Sequence, residues 1–81
     1  MNIFVAKLDY GVSDSELSQL FQQYGAVDSA KVIMDRETGR SKGFGFVEMP
    51  VEEEATQAIS ALDGQDVRGR NIVVKKAEPR R

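Results

Sequence analysis

The chain contains no cysteine and no histidine. Without cysteine no disulfide can brace the fold, and the redox character of its compartment leaves no mark on the sequence. Without either residue the usual zinc ligands are missing, as are the commonest catalytic base and the most reactive nucleophile. No metal, no cofactor and no catalysis are therefore expected. Tryptophan is absent and proline occurs only twice. No apolar run approaches the ~20 residues of a membrane-spanning helix. Strand-like sequence begins directly after Met1, so no leader is expected. Eighty-one residues allow one domain with a modest core. With 41% hydrophobic and 30% charged residues the chain reads as a globular domain expected in the cytoplasm.

Aromatic residues are few, and their placement is informative. In Lys42-Gly43-Phe44-Gly45-Phe46-Val47, strand alternation puts Phe44 and Phe46 on one face with Lys42 and Glu48. Gly43, Gly45, Val47 and Met49 share the other face, where the glycines leave room for close packing. The opposite assignment would expose Val47 and Met49 and bury Lys42. Phe4, between Ile3 and Val5, faces outward by the same rule. Three outward phenyl rings on two strands form a platform on which bases can stack.

These segments resemble the RNA recognition motif family. Lys42 to Met49 is similar to its octapeptide ribonucleoprotein motif, which reads basic, Gly, aromatic, Gly or Ala, aromatic, Val, any, aromatic. Ile3-Phe4-Val5-Ala6-Lys7-Leu8 is similar to its hexapeptide motif. The resemblance runs from Asn2 to about Ala77. Met49 departs from the final aromatic at an inward position, and Ala6 and Lys7 stand where the family often has Gly and Asn. The resemblance implies that Phe4 and Phe46 stack on bases, that Phe44 packs against sugars and that Lys42 meets a phosphate. Lys31, Lys75 and Arg40 are further candidate contacts, and Tyr10 is either a loop packing residue or a ligand contact. The chain is most similar in plan to small single-domain bacterial RNA-binding proteins. A domain over residues 1–78 and a basic tail over 79–81 are expected.

The order of elements supports the same reading. Ile3 to Leu8 forms a first strand. Ser13-Asp14-Ser15-Glu16 is a capping box, in which the Ser13 hydroxyl bonds the Glu16 amide and the Glu16 carboxylate reaches back. Leu17, Leu20, Phe21 and Tyr24 then make an apolar helix stripe that Gly25 ends. Ala30 to Met34 is a second strand with Ala30, Val32 and Met34 inward and Lys31 and Ile33 outward. The polar turn Glu37-Thr38-Gly39-Arg40 joins it to the aromatic strand. Pro50 opens a second helix whose stripe is Ala55, Ala58, Ile59 and Leu62, and Asp63-Gly64 closes it. Ile72 to Lys76 is a fourth strand with Ile72 and Val74 inward, and Val73 and Lys75 outward. Right-handed crossovers then place both helices on one face of a four-stranded antiparallel sheet, an α+β, ferredoxin-like βαββαβ sandwich. The family resemblance implies the strand order 4-1-3-2.

The net charge of -2 and pI of about 5.0 sit uneasily with nucleic acid until position is considered. Asp14, Glu16, Glu52, Glu53, Glu54, Asp63 and Asp66 fall on or beside the helices. Lys31, Arg36, Arg40, Lys42, Lys75, Lys76, Arg80 and Arg81 fall on strands, a loop and the tail. The expected partner is single-stranded RNA, or single-stranded DNA, bound by a monomer with no small-molecule substrate. A protein-interaction module using the sheet face or the acidic helices is the rival reading. A ferredoxin-like enzyme such as an acylphosphatase fits poorly, because Asp9-Tyr10-Gly11-Val12 offers neither an anion-binding arginine nor a Gly-rich cradle.

Overall fold

The computed structural model describes residues 1–77; the end of the expected domain at residue 78 and the tail over 79–81 lie outside them. In chain order the elements are β1 (Asn2–Ala6), α1 (Asp14–Gln22), β2 (Ser29–Met34), β3 (Ser41–Glu48), α2 (Glu52–Leu62), β4 (Asp66–Val67), β5 (Arg70–Asn71) and β6 (Val73–Lys76). The four longer strands make one antiparallel sheet in the order β2-β3-β1-β6. Read from the other edge, with β6 as the fourth long strand, this is 4-1-3-2, the ferredoxin-like arrangement. β4 and β5 form a separate hairpin that the alternation pattern did not reveal.

Burial follows the period of two. Ile3 and Val5 of β1, Val32 of β2, Val47 of β3 and Val74 of β6 are buried, joined by Leu17 and Phe21 of α1 and Ala55, Ala58 and Leu62 of α2. Leu20, Tyr24 and Ile59 pack against this core from its margin. Gly45 lies at the closest approach. A Cβ there would stand 2.5 Å from the Lys31 carbonyl oxygen and 3.1 Å from Leu17 Cδ2, so its absence lets α1 press directly on the sheet.

Several local expectations are corrected. β1 stops at Ala6 rather than Leu8 because Lys7 takes a left-handed φ of 58°, though Leu8 is still buried. An L-residue with a bulky side chain is strained there by about 1–2 kcal/mol, which Asn tolerates better. That is the position where the resembled family often has Asn. Met34 is 50% exposed instead of buried. Three residues of β3, Lys42 to Phe44, stand opposite the single Ile33 between the pairs Val32↔Gly45 and Met34↔Ser41. This bulge, with Gly43 at φ 85°, bends the ladder and carries the end of β2 past the core. Pro50 precedes α2 instead of opening it, and Val51 is the N-cap with no side-chain bond. The capping box is half made. Glu16 N–H donates to Ser13 Oγ at 3.2 Å, but the Glu16 carboxylate accepts two bonds from Arg68, at 2.8 and 2.9 Å.

Each outer strand is also tied to a helix end. Val32 N–H donates to Asp14 Oδ1 at 2.7 Å, and Val74 N–H donates to Asp63 Oδ1 at 3.0 Å. Asp63 is the C-cap of α2, where its negative charge gains nothing from the helix dipole. Its hydrogen bond to β6 is thus the reason for its value there. Asp63→Ala should cost about 1 kcal/mol of unfolding free energy in urea titrations, while Asp63→Asn, which keeps an acceptor, should stay near wild type. Phe21 is fully buried, and Phe21→Ala should cost about 3–5 kcal/mol by the same measurement.

Candidate nucleic-acid interface

The helices cover one face of the sheet and leave the other open. On that open face the strand register builds a single cross-sheet row. Lys31 of β2 lies across from Phe46 of β3, Phe46 across from Phe4 of β1, and Phe4 across from Lys75 of β6. Two rings at the centre are thus flanked by one lysine on each side, and both lysines are exposed. The next row holds Phe44 opposite Ala6, and Ala6 opposite Val73.

The three rings form one cluster. Phe4 and Phe46 have centroids 5.5 Å apart, Phe4 and Phe44 5.9 Å, and Phe44 and Phe46 6.3 Å with the last pair edge-to-face. These separations are those of favourable aromatic pairs. Phe46 is 42% exposed, whereas Phe4 and Phe44 are half-buried by their neighbours. The sheet backbone holds Phe46 up, with Val47 and Gly45 buried beneath on either side of it.

The remaining candidates are placed less centrally. Lys42 is exposed beside buried Ser41 at the bulge, where the Ser41 hydroxyl accepts a bond from Gly43 N–H at 3.0 Å. Arg40 is exposed in the loop between β2 and β3, beyond the rows of the sheet. That loop is organised by Asp35, whose carboxylate accepts from Glu37 N–H at 2.7 Å and Thr38 N–H at 3.3 Å. The bonds from Glu37 and Thr38, with Lys42 nearby, hold the Asp35 carboxyl below its ordinary value. The structure therefore joins Phe4, Phe44, Phe46, Lys31 and Lys75 on one surface, with Lys42 at its end and Arg40 outside it. Glu48 is also exposed, at the end of β3 opposite Asn2.

Tyr10 and Arg70 form a pair that sequence reasoning left open on one side and missed on the other. The Arg70 guanidinium carbon lies 5.4 Å from the Tyr10 ring centroid. They are 60 positions apart in a chain whose hairpin was not foreseen, so no local pattern signalled the contact. Among the described residues no group of three or more acidic side chains is arranged to hold a metal ion.

Comparison with known proteins identifies the family. The family model for the RNA recognition motif matches residues 3–73. RbpA of Synechocystis sp., which carries the name of an RNA-binding protein, is 49% identical over 80 residues, covering 99% of this chain and 79% of that one. The crystal structure of RNA Binding Protein PG1 superposes with a TM-score of 0.95 at 56% identity, covering 100% of this chain and 98% of the other. The structure described as the Sxl-lethal protein/RNA complex superposes with a TM-score of 0.90 at 33% identity, over 96% of this chain and 47% of that one. With the motif residues, the sheet order and the relatives in agreement, this chain belongs to the RNA recognition motif family.

Proposed function

We propose that the open sheet face is a binding site for single-stranded RNA and that the domain works by binding alone. The observation that carries this reading is the row Lys31, Phe46, Phe4, Lys75 across all four long strands. Bases stack on Phe4 and Phe46, a sugar packs against Phe44, and the lysines on either side face the phosphates. Lys42 and Arg40 add positive charge toward the loop between β2 and β3. Aromatic rings accept any base, so this surface supplies affinity with modest sequence preference. Discrimination of RNA from DNA needs contacts to the 2′-hydroxyl, and parallel titrations with the two polymers measure it.

NMR titration with random-sequence RNA pools should shift the resonances of Phe4, Phe44, Phe46, Lys31, Lys42 and Lys75. A map centred on Glu52 to Leu62 would instead point to the acidic helix and a protein partner. Phe46→Ala should weaken RNA binding by about five- to a hundredfold, the worth of one stacked base. It should change folding stability by no more than about 1 kcal/mol, because an open face leaves no cavity behind. Affinity should lie in the micromolar range or looser, about -8 kcal/mol at best. If about three phosphates are neutralised, log affinity should fall against log salt with a slope near -2, and Lys31→Gln with Lys75→Gln should flatten it by ~0.7 per lost contact.

A further inference from the structure

Tyr10 is the most exposed of the large apolar or aromatic side chains described, at 63%. A ring that served only to pack its loop would be expected to bury itself, and here that task is done by others. Leu8 and Val12, on either side of it in sequence, are 0% and 1% exposed. The loop is further held by the Asp9 carboxylate, which accepts from Gly11 N–H at 3.0 Å. The Tyr10 ring therefore stands out from a loop that is already secured.

Its position is at the end of the sheet, next to β3. Leu8 N–H donates to the Gly43 carbonyl at 2.8 Å, so the segment leading to Tyr10 runs alongside the residue before Phe44. A Cβ on Gly43 would stand 3.4 Å from Tyr10 Cε1, so the ring lies against the start of β3. The aromatic pairs of the sheet join Phe4, Phe44 and Phe46, and Tyr10 stands beyond them, beside Gly43.

The neighbouring cation suits a base as well as a ring. Among the described residues the one ion pair is Arg68 with Glu16, at 2.8 Å. That bond lowers the Glu16 pKa and raises that of Arg68, and it docks the β4–β5 hairpin on the start of α1. Arg70, on the same hairpin, pairs with no carboxylate among the described residues and lies over the Tyr10 ring. A guanidinium is planar, stacks on aromatic faces, and presents five N–H donors with no acceptor. It can stack on a base, donate to its carbonyl oxygens or meet the adjoining phosphate.

We infer that Tyr10 and Arg70 form an additional nucleobase subsite at the end of the sheet, lengthening the bound RNA beyond the Phe4, Phe44 and Phe46 platform. The inference rests on the reading of the open face as an RNA site. The test is fluorescence anisotropy with random-sequence RNA pools of three and of five nucleotides, using the folded protein checked by thermal unfolding. The wild type should bind the pentamers more tightly than the trimers. Tyr10→Ala should remove that gain, a loss of about five- to a hundredfold on pentamers, with trimer binding unchanged. Tyr10→Phe should keep the gain, since the ring and not the hydroxyl does the stacking. Arg70→Gln should reduce it and lessen the salt dependence. Phe46→Ala should weaken trimers and pentamers alike. If Tyr10→Ala binds pentamers as the wild type does, or weakens trimers equally, the subsite is overturned while the platform stands. If Phe46→Ala is harmless and Tyr10→Ala still removes the pentamer gain, the platform falls and the subsite remains. No binding of either pool by the wild type overturns both.

Discussion

The pairing of β1 with β3, with Phe4 directly across from Phe46, is the constraint on which the rest of the molecule depends. The side-chain period of a strand is two, so a slip of one residue would exchange the faces of the whole strand. Ile3, Val5 and Val47 would then enter water while the phenyl rings turned toward the helices. Burying each of those aliphatic side chains is worth about 1.5–3 kcal/mol, so the core beneath enforces the register above. The exposed rings are held out by the residues that alternate with them. Aromatic face and core are two sides of one backbone decision.

The same logic explains what could be read from the chain. Alternation at Ile3-Phe4-Val5 and Gly45-Phe46-Val47 reports a local geometric rule, and the sheet face with its three rings follows from it. So do the helix stripes, with Leu17, Phe21, Ala55, Ala58 and Leu62 buried. The failures begin where the rule is interrupted. Gly43 at positive φ starts a bulge in β3, and alternation counted along β2 alone, which put Met34 in the core, carries no sign of it. The β4–β5 hairpin has only Val67 as a buried apolar residue, too little for a periodic signal. Its turn places Arg68 and Gly69 at φ 55° and 84°, the pattern of a tight hairpin, but with an arginine where Asn or Asp is the usual marker. The pairs Arg68 with Glu16 and Arg70 with Tyr10 bridge distant parts of the chain, and only the assembled fold brings them together.

The distribution of charge also takes its meaning from the fold. A net charge of -2 describes the molecule as a whole, yet the sheet separates its surface into two fields. Glu52, Glu53 and Glu54 occupy the first turn of α2, where the helix dipole favours them, while Lys31 and Lys75 stand on the strands that border the rings. Beyond about a Debye length, ~8 Å at physiological salt, these fields are largely screened. The lysines therefore act on what lies directly over the sheet more than on what approaches from a distance.

The two aspartates that tie the outer strands to the helices have a consequence outside the single chain. A sheet with two open borders offers unpaired amides as a template on which further strands can grow, and an exposed aromatic face adds to that hazard. Here the amide of Val32 on one border and that of Val74 on the other are already engaged by Asp14 and Asp63. An incoming strand would have to break a hydrogen bond and then lie beside a carboxylate. The protein can thus keep its phenyl rings in water while both borders of the sheet resist ladder growth from copy to copy.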